Sequence, residues 1–402
     1  MREKWWTPWF SFGAVYLLWR MWLFFVAFLA SLIIPRRDRY LAVVEFAENL
    51  PNWITVWGNF DGVVFMRIAF GGYGLPEVPF FPLLPLMMRT LHSLGVPLVL
   101  GGMFTSLLSI LGVVYVWREL WKLDIQNKQY VGLPFFFLLL VLLTFPTAHY
   151  FTAVYQDALF LFLSSSTILL ARKRYWLWAV MAGMLAMLAR LNGLALFFFL
   201  GAEYMIEIAP RLKQNWPWQA PFETVIRALD PRQLFKHSYV FLFAGIPLAF
   251  LAYLGFLQLK FGDWQVFFSS VEVWNRSQLT FPLHTAWRYF KILVLYANIN
   301  LVYWVAFAEA VFTAFYAAFL ALQWGRIRFS YWILMFFHLL IPALTGTFQG
   351  MPRYGLHLYP LFLVLGAWVW RKPVWFRLLY CIAMLLGQVL YISAFVRGYF
   401  VA

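Results

Sequence analysis

The chain is short of charge, of acid in particular, and of cysteine. Of its 402 residues only 16 are Asp or Glu, against 31 Lys or Arg, and charged residues make up 12%. A soluble domain carries about a quarter charged residues, so a water-solvated surface over the whole chain is excluded. The one cysteine, Cys381, lies inside an apolar run, which excludes an intrachain disulfide. No internal repeat marks the pseudo-symmetric halves common in secondary transporters. The carboxylates are not clustered and no His or Cys spacing suits a metal, so neither a metal ion nor another cofactor is expected.

What the chain has in excess is apolar surface. Hydrophobic residues make up 64% and aromatic residues 22%, with 22 tryptophans. Apolar runs of about 20 residues match a hydrocarbon core of about 30 Å, and lipid offers the backbone no hydrogen-bond partners, so helices are required. The reading is an all-α, polytopic transmembrane helical bundle forming a single domain over 1–402. Spans are expected near 9–35, 97–118, 132–151, 157–171, 175–190, 191–208, 239–259, 291–323, 329–347, 354–370 and 374–395, about eleven in all. The first run is too long for the core of a cleaved signal and lacks a small-residue cleavage site.

The formal charge of +15 is spread through short loops, which points to membrane orientation and away from nucleic acid as a partner. "MREK", "WKLDIQNK", "RKR" at 172–174, the loop 209–237, "GRIR" and "RKPVWFR" all fall on one side, which the positive-inside rule makes cytoplasmic. "RRDR" at 36–39 falls on the other side and reads as a collar facing lipid headgroups. The outer face then carries two long loops, about 36–96 and 260–290, whose mixture of aromatic, apolar and charged residues predicts amphipathic helices in the interface.

So few acids can be enumerated. Asp38, Glu45, Glu48, Asp61, Glu77, Asp157, Asp263 and Glu272 lie at or near the outer face, Glu309 lies within an apolar run, and the rest lie towards the cytoplasmic side. Asp61 and Asp157 each precede an apolar run and read either as helix N-caps or as carboxylates held for proton abstraction. Asp263 in "FGDW" reads as a support for its loop or as a further cap. Glu309 reads either as a cavity or interface glutamate paired with a neighbouring polar group or as the one acid that argues for a transporter.

Arg190 in "LARLNG", Arg276 in "VWNRS" and Arg353 in "MPRYG" sit at the outer mouths of apolar runs, where positive charge is disfavoured. Each alone reads as snorkelling or headgroup contact. Three on one face suit an anionic ligand, because guanidinium binds phosphate oxygens in a planar, bidentate way. His92, His149, His284 and His357 read as packing or hydrogen-bonding residues. "GGYG" at 71–74 and "GG" at 101–102 lack the strand, lysine and hydroxyl of a phosphate loop.

Five segments, in order along almost the whole chain, carry a family resemblance: "FDGVVFMRIAFGGYG" with "FFPLLPLMMR", "YQDALFLFLS", "LARLNGLAL", "KFGDWQVFFSSVEVWNR" and "MPRYGLHLYPLFLVLG". The chain resembles the GT-C integral-membrane glycosyltransferases. Within them it is similar to the family of the second mannosyltransferase of glycosylphosphatidylinositol-anchor assembly (PIG-V) and its prokaryotic relatives.

The resemblance implies an inverting enzyme that moves a mannosyl or related hexosyl unit from a polyprenyl or dolichyl phosphate carrier to a hydroxyl of a glycolipid or glycan. The site would face the outside of a plasma membrane or the lumen of an endoplasmic reticulum. It implies Asp61 as general base, Arg190 and Arg353 on the donor phosphate with Arg276 beside them, and Asp157 as a second acid or a structural carboxylate. Tyr73, Tyr155, Asn192 and Tyr354, which stand in these motifs, are expected to line the substrate. The chain departs from the family pattern at Phe60, where tryptophan is usual, at Val64 and Phe65, at Gln156 and Asp157, and at Leu191, where proline is usual.

The chemistry suits these residue types. A lipid phosphate leaves as a stabilised anion, so fixed positive charge in a dry site serves it better than a protonating acid, and one carboxylate suffices to deprotonate the acceptor hydroxyl. Two alternatives stand beside this reading: a GT-C enzyme using another polyprenyl-phosphate sugar, and a transporter or lipid flippase.

Overall fold

A computed structural model describes residues 7–37, 41–46, 49–214, 216–274, 276, 279–295 and 298–401. All regular structure among them is helical, with no strand. Six helical segments of the described residues are long and apolar enough to cross a membrane: Gly13–Ile33, Leu98–Asp124, Leu191–Ile208, Ser238–Phe261, Leu301–Gln323 and Val374–Val396. The chain is therefore an all-α membrane protein. Four shorter apolar helices, Phe135–Thr144, Trp176–Ala189, Phe329–Ala343 and Tyr359–Trp370, overlap four more of the expected segments, and Asp157–Arg172 overlaps the remaining one; none of these five has the length of the six candidate spans.

Two expected segments are corrected in their limits. The segment placed at 291–323 becomes a helix only at Leu301, because Asn300 caps it, its side-chain oxygen accepting the Tyr303 N–H at 3.1 Å; residues Lys291–Leu295 form a separate π-helical turn. The segment placed at 132–151 is broken after Thr144. Pro146 follows there and has no N–H to continue the ladder, and a 3₁₀ turn, Ala148–Phe151, completes the stretch.

The chain divides into two compact units. The first comprises 1–72, 84–162 and 356–401, and holds the spans Gly13–Ile33, Leu98–Asp124 and Val374–Val396. In it the helix Thr7–Ile33 packs on Val374–Val396, and Phe135–Thr144 packs on Tyr359–Trp370. Phe395, fully buried, gathers an aromatic cluster: the rings of His149, Tyr150, Phe60 and Tyr155 lie 5.4, 5.7, 5.8 and 5.8 Å from it. The "GG" at 101–102 has a packing role. A Cβ on Gly102 would come within 2.4 Å of the Val154 Cγ1 atom, so the bare backbone makes the slot that seats Val154.

The second unit comprises 73–83 and 163–355. Its helices Leu194–Ile208 and Phe329–Ala343 pack side by side, with Phe198 and Phe337 stacked 3.7 Å apart at 8°. Glu203, buried on the first, accepts both nitrogens of the Arg328 fork (2.6 and 2.5 Å) and the Ser330 hydroxyl (2.5 Å). Such bidentate pairing offsets the desolvation of a buried carboxylate. Residues 73–83 of the first long loop belong to this unit. Tyr253 donates to the Val78 carbonyl at 2.6 Å, and Phe81 packs 5.0 Å from the Tyr253 ring.

The two long loops carry the amphipathic helices expected of them. Leu83–Ser93 buries Leu84, Pro85 and Met88 and exposes Leu86 and Met87; Pro282–Phe290 buries Thr285 and Tyr289 and exposes Leu283 and Trp287. In the "RRDR" collar, Arg37 lies 4.5 Å from the Tyr399 ring and donates its backbone N–H to Arg397; Asp38, Arg39 and, further on, Glu48 lie outside the described residues.

Candidate functional site

Arg190, Arg276 and Arg353 come together in the second unit around one side chain, Tyr354. Arg190 closes the helix Trp176–Ala189 in an extended conformation, is buried, and sets its guanidinium carbon 5.1 Å from the Tyr354 ring centroid. Arg353 is the buried neighbour of Tyr354 in the short helix Met351–Tyr354, started by a left-handed Gly350 with φ 85°. Arg276 hydrogen-bonds the Tyr354 phenol. Burial by itself raises the pKa of this phenol. The positive charges of Arg276, Arg190 and Arg353, in that order, outweigh burial and pull it down to about 8.

Three links hold the cluster. Asn192 donates to the His338 carbonyl at 2.7 Å, and His338 Nε2 lies 3.2 Å from the Tyr354 carbonyl oxygen, so "RLNG" and "PRYG" are tied through the helix Phe329–Ala343. Tyr316, on the span Leu301–Gln323, donates to the Pro352 carbonyl at 3.4 Å. Gly193 lets the "RLNG" turn fold back on its own helix: a Cβ there would lie 2.5 Å from the Met187 backbone.

Glu309 lies beside this cluster and feels the charge of Arg276. It is buried within the span Leu301–Gln323 and accepts a hydrogen bond from Tyr289. The Tyr289 oxygen also lies 3.1 Å from the Thr347 hydroxyl and accepts the Phe348 N–H at 3.1 Å. Burial, and then the Glu309 charge, push the Tyr289 phenol up. Glu309 thus has the polar partner expected of it.

The carboxylates Asp61 and Asp157 both belong to the first unit. Asp61 opens the helix Asp61–Gly71, one position past the N-cap. The cap itself is Phe60, whose φ of 59° and ψ of −115° suit glycine, and whose side chain cannot cap. Tyr155 does that work: its hydroxyl accepts the Asp61 N–H and donates to the Asn59 carbonyl, both at 3.2 Å. The N-cap reading of Asp61 is corrected accordingly, because a first-turn carboxylate meets the helix dipole without filling the cap position.

Asp157 likewise opens the helix Asp157–Arg172, and its Oδ1 lies 2.9 Å from His357 Nε2, with both side chains fully buried. Phe160 closes over the imidazole edge-on at 4.9 Å.

The remaining expected residues make contacts of their own. Tyr73 donates its hydroxyl to the Phe80 carbonyl at 2.7 Å within its own loop, and burial, then Tyr253, hold its phenol up. Asp263 accepts the Gln265 N–H at 2.8 Å on the surface, a local turn within its loop; the N-cap of the helix Val266–Ser270 is Gln265, so the cap reading of Asp263 is corrected. His92 Nδ1 lies 3.1 Å from the Val96 carbonyl, and His149 lies against Tyr150 at 4.3 Å. Among the described residues no three His, Cys, Asp or Glu side chains come together as a metal site.

Sequence reasoning missed His338, the link between two motifs, and did not pair His357 with Asp157. His338 interrupts the apolar "FFHLL", a signal that was available. The partner of His357 lies 200 positions away and leaves no local trace. Comparison of the chain with protein-family models, with curated proteins and with solved structures finds no match in any of the three.

Proposed function

We propose that the protein is a GT-C-type membrane glycosyltransferase with about eleven spans that transfers a hexosyl unit, with mannose the first candidate, from a polyprenyl-phosphate carrier to a hydroxyl of a glycolipid or glycan on the outer or luminal face. The observation that carries this reading is the convergence of Arg190, Arg276 and Arg353 on Tyr354. Three guanidiniums, two of them buried, gather fixed positive charge in one place away from bulk water, which suits an anionic ligand. A departing lipid phosphate is such an anion, and it needs positive charge and little else.

Asp61 is assigned as general base on the family resemblance, and its place in the first turn of a helix, anchored through Tyr155, is compatible with a fixed carboxylate. Asp157 is assigned a structural role, since its Oδ1 is engaged by a buried histidine. The test is transfer from radiolabelled polyprenyl-phosphate mannose in proteoliposomes. Asp61→Asn is expected to abolish product while leaving the protein folded; wild-type transfer by that variant would sink the base assignment. Arg353→Ala is expected to weaken donor use above all, and an unchanged donor dependence would remove the phosphate role. Substrate flux without a glycosidic product would favour a transporter.

A further inference from the structure

The loop 209–237 contains a helix, Ala220–Ala228, that is built inside out. The residues it buries are small: Ala220, Pro221, Thr224 and Ala228. The bulky ones, Phe222, Val225, Ile226 and Leu229 just past its end, are exposed, Ile226 to 77%. At about 100° per residue, their spacing of i, i+3, i+4 and i+7 draws one stripe roughly opposite the packed face. Glu223 and Arg227 fill the strip between the two. Trp218 before the helix and Phe235 after it extend the exposed apolar surface.

The anchoring fixes where this stripe lies along the spans. Tyr204, in the last turns of the span Leu191–Ile208, donates to the Ala228 carbonyl at 3.0 Å. Trp216 donates its backbone N–H to Gly325 at 3.0 Å and its indole N–H to Ile327 at 2.8 Å, just beyond the end of the span Leu301–Gln323. Its ring joins a buried cluster with Ala202, Ile206, Leu212 and Phe329. The next span begins at Ser238. The helix is thus fastened at the level where three candidate spans end, where a bilayer crossed by them would have its headgroup boundary.

Charge complements this placement. Between 211 and 236 there are five basic residues, Arg211, Lys213, Arg227, Arg232 and Lys236, and two acids, Glu223 and Asp230. Both acids are engaged locally, Glu223 by Arg211 at 2.5 Å and Asp230 by the Arg232 N–H at 2.9 Å.

We propose that the stripe of Phe222, Val225, Ile226 and Leu229 is a docking surface for the bilayer itself, inserted at the acyl boundary, with anionic lipid headgroups bound by Arg227, Arg232 and Lys236. Amphipathic helices of this kind combine buried apolar area with attraction to anionic lipid. The element does not depend on the glycosyl-transfer reading.

The experiment uses the full-length chain with Cys381→Ser and Ile226→Cys, spin-labelled and placed in phosphatidylcholine nanodiscs with and without phosphatidylglycerol. The label is expected to collide with dissolved oxygen and to be shielded from a water-soluble nickel chelate. A label reached by nickel would put the stripe in water and overturn the proposal. A label shielded from both, with broadening between labels, would put a second copy on the stripe and overturn it equally. In a separate arm, phosphatidylglycerol added to detergent-solubilised protein is expected to raise the midpoint of thermal unfolding. In the triple variant R227E, R232E and K236E that rise should be lost. An equal rise in the variant would remove the headgroup assignment.

Discussion

His357 Nε2 and Asp157 Oδ1 meet at 2.9 Å across 200 residues of sequence, with neither side chain reaching solvent. This bond ties the start of the helix Asp157–Arg172 to the turn before Tyr359–Trp370, both within the first unit. Removing the histidine takes one partner from a buried carboxyl group. His357→Ala is expected to destabilise the protein by about 3 kcal/mol, and Asp157→Asn, which keeps a hydrogen-bonding group in place, by about 1 kcal/mol. Thermal unfolding in detergent compares the two. Equal losses would mean that the charge of Asp157 contributes nothing.

Tyr354 gives the arginine cluster a pH dependence. Its pKa in the folded protein, about 8, lies below the usual tyrosine value because its anion is stabilised by Arg276, Arg190 and Arg353. An external anion uses the same three charges, so the bound state favours the neutral phenol, and by linkage anion binding is near its full strength about one unit below that pKa and is lost as pH rises through it. Phosphate or donor affinity should fall about tenfold from pH 7 to pH 9, as the neutral fraction falls. Tyr354→Phe should flatten that limb. A profile unchanged by this substitution would refute the role of the phenol.

Gly102 and Val154 form a matched pair. Alanine at 102 would bring its Cβ within 2.4 Å of Val154 Cγ1 and 3.1 Å of its Cβ, and a β-branched valine has little freedom to turn aside. Gly102→Ala should destabilise by about 2 kcal/mol, against the usual gain of about 1 kcal/mol for replacing a helical glycine. Adding Val154→Ala should recover part of the loss. Strict additivity of the two substitutions in unfolding measurements would show that they do not touch.

Phe60 reverses the ordinary ranking of alanine and glycine. Both replacements lose the packing of its ring on Phe395 at 5.8 Å and on Phe400 at 5.4 Å. Only alanine retains the strain of a side chain at φ 59°. Phe60→Gly should therefore be more stable than Phe60→Ala, by about 1 kcal/mol. The opposite order in thermal unfolding would argue that the turn relaxes when the ring is gone.

Much of the architecture was legible because the signal is local. A run of apolar residues must be helical in lipid wherever the rest of the chain goes, and the six long spans followed from composition alone. Their limits were less legible: the start at Leu301 depends on the Asn300 cap, and the break after Thr144 on Pro146. At the candidate site, the motifs marked Arg190, Arg276 and Arg353 as unusual because arginine is disfavoured at such positions. The residues that hold them, Asn192, His338 and Tyr316, act through hydrogen bonds to distant backbone carbonyls, which any sequence could supply.

The sequence by itself determined that this is a helical membrane protein, poor in acid, with its carboxylates few enough to name. Those properties follow from side-chain chemistry and solvent, and need no knowledge of which segments meet. Only the tertiary structure decided that three arginines share one tyrosine, that Asp157 belongs to His357, and that Tyr155 caps the helix of Asp61. These pairings join residues far apart in the chain, and close packing and the cost of stranded polar groups select them only once the helices have met.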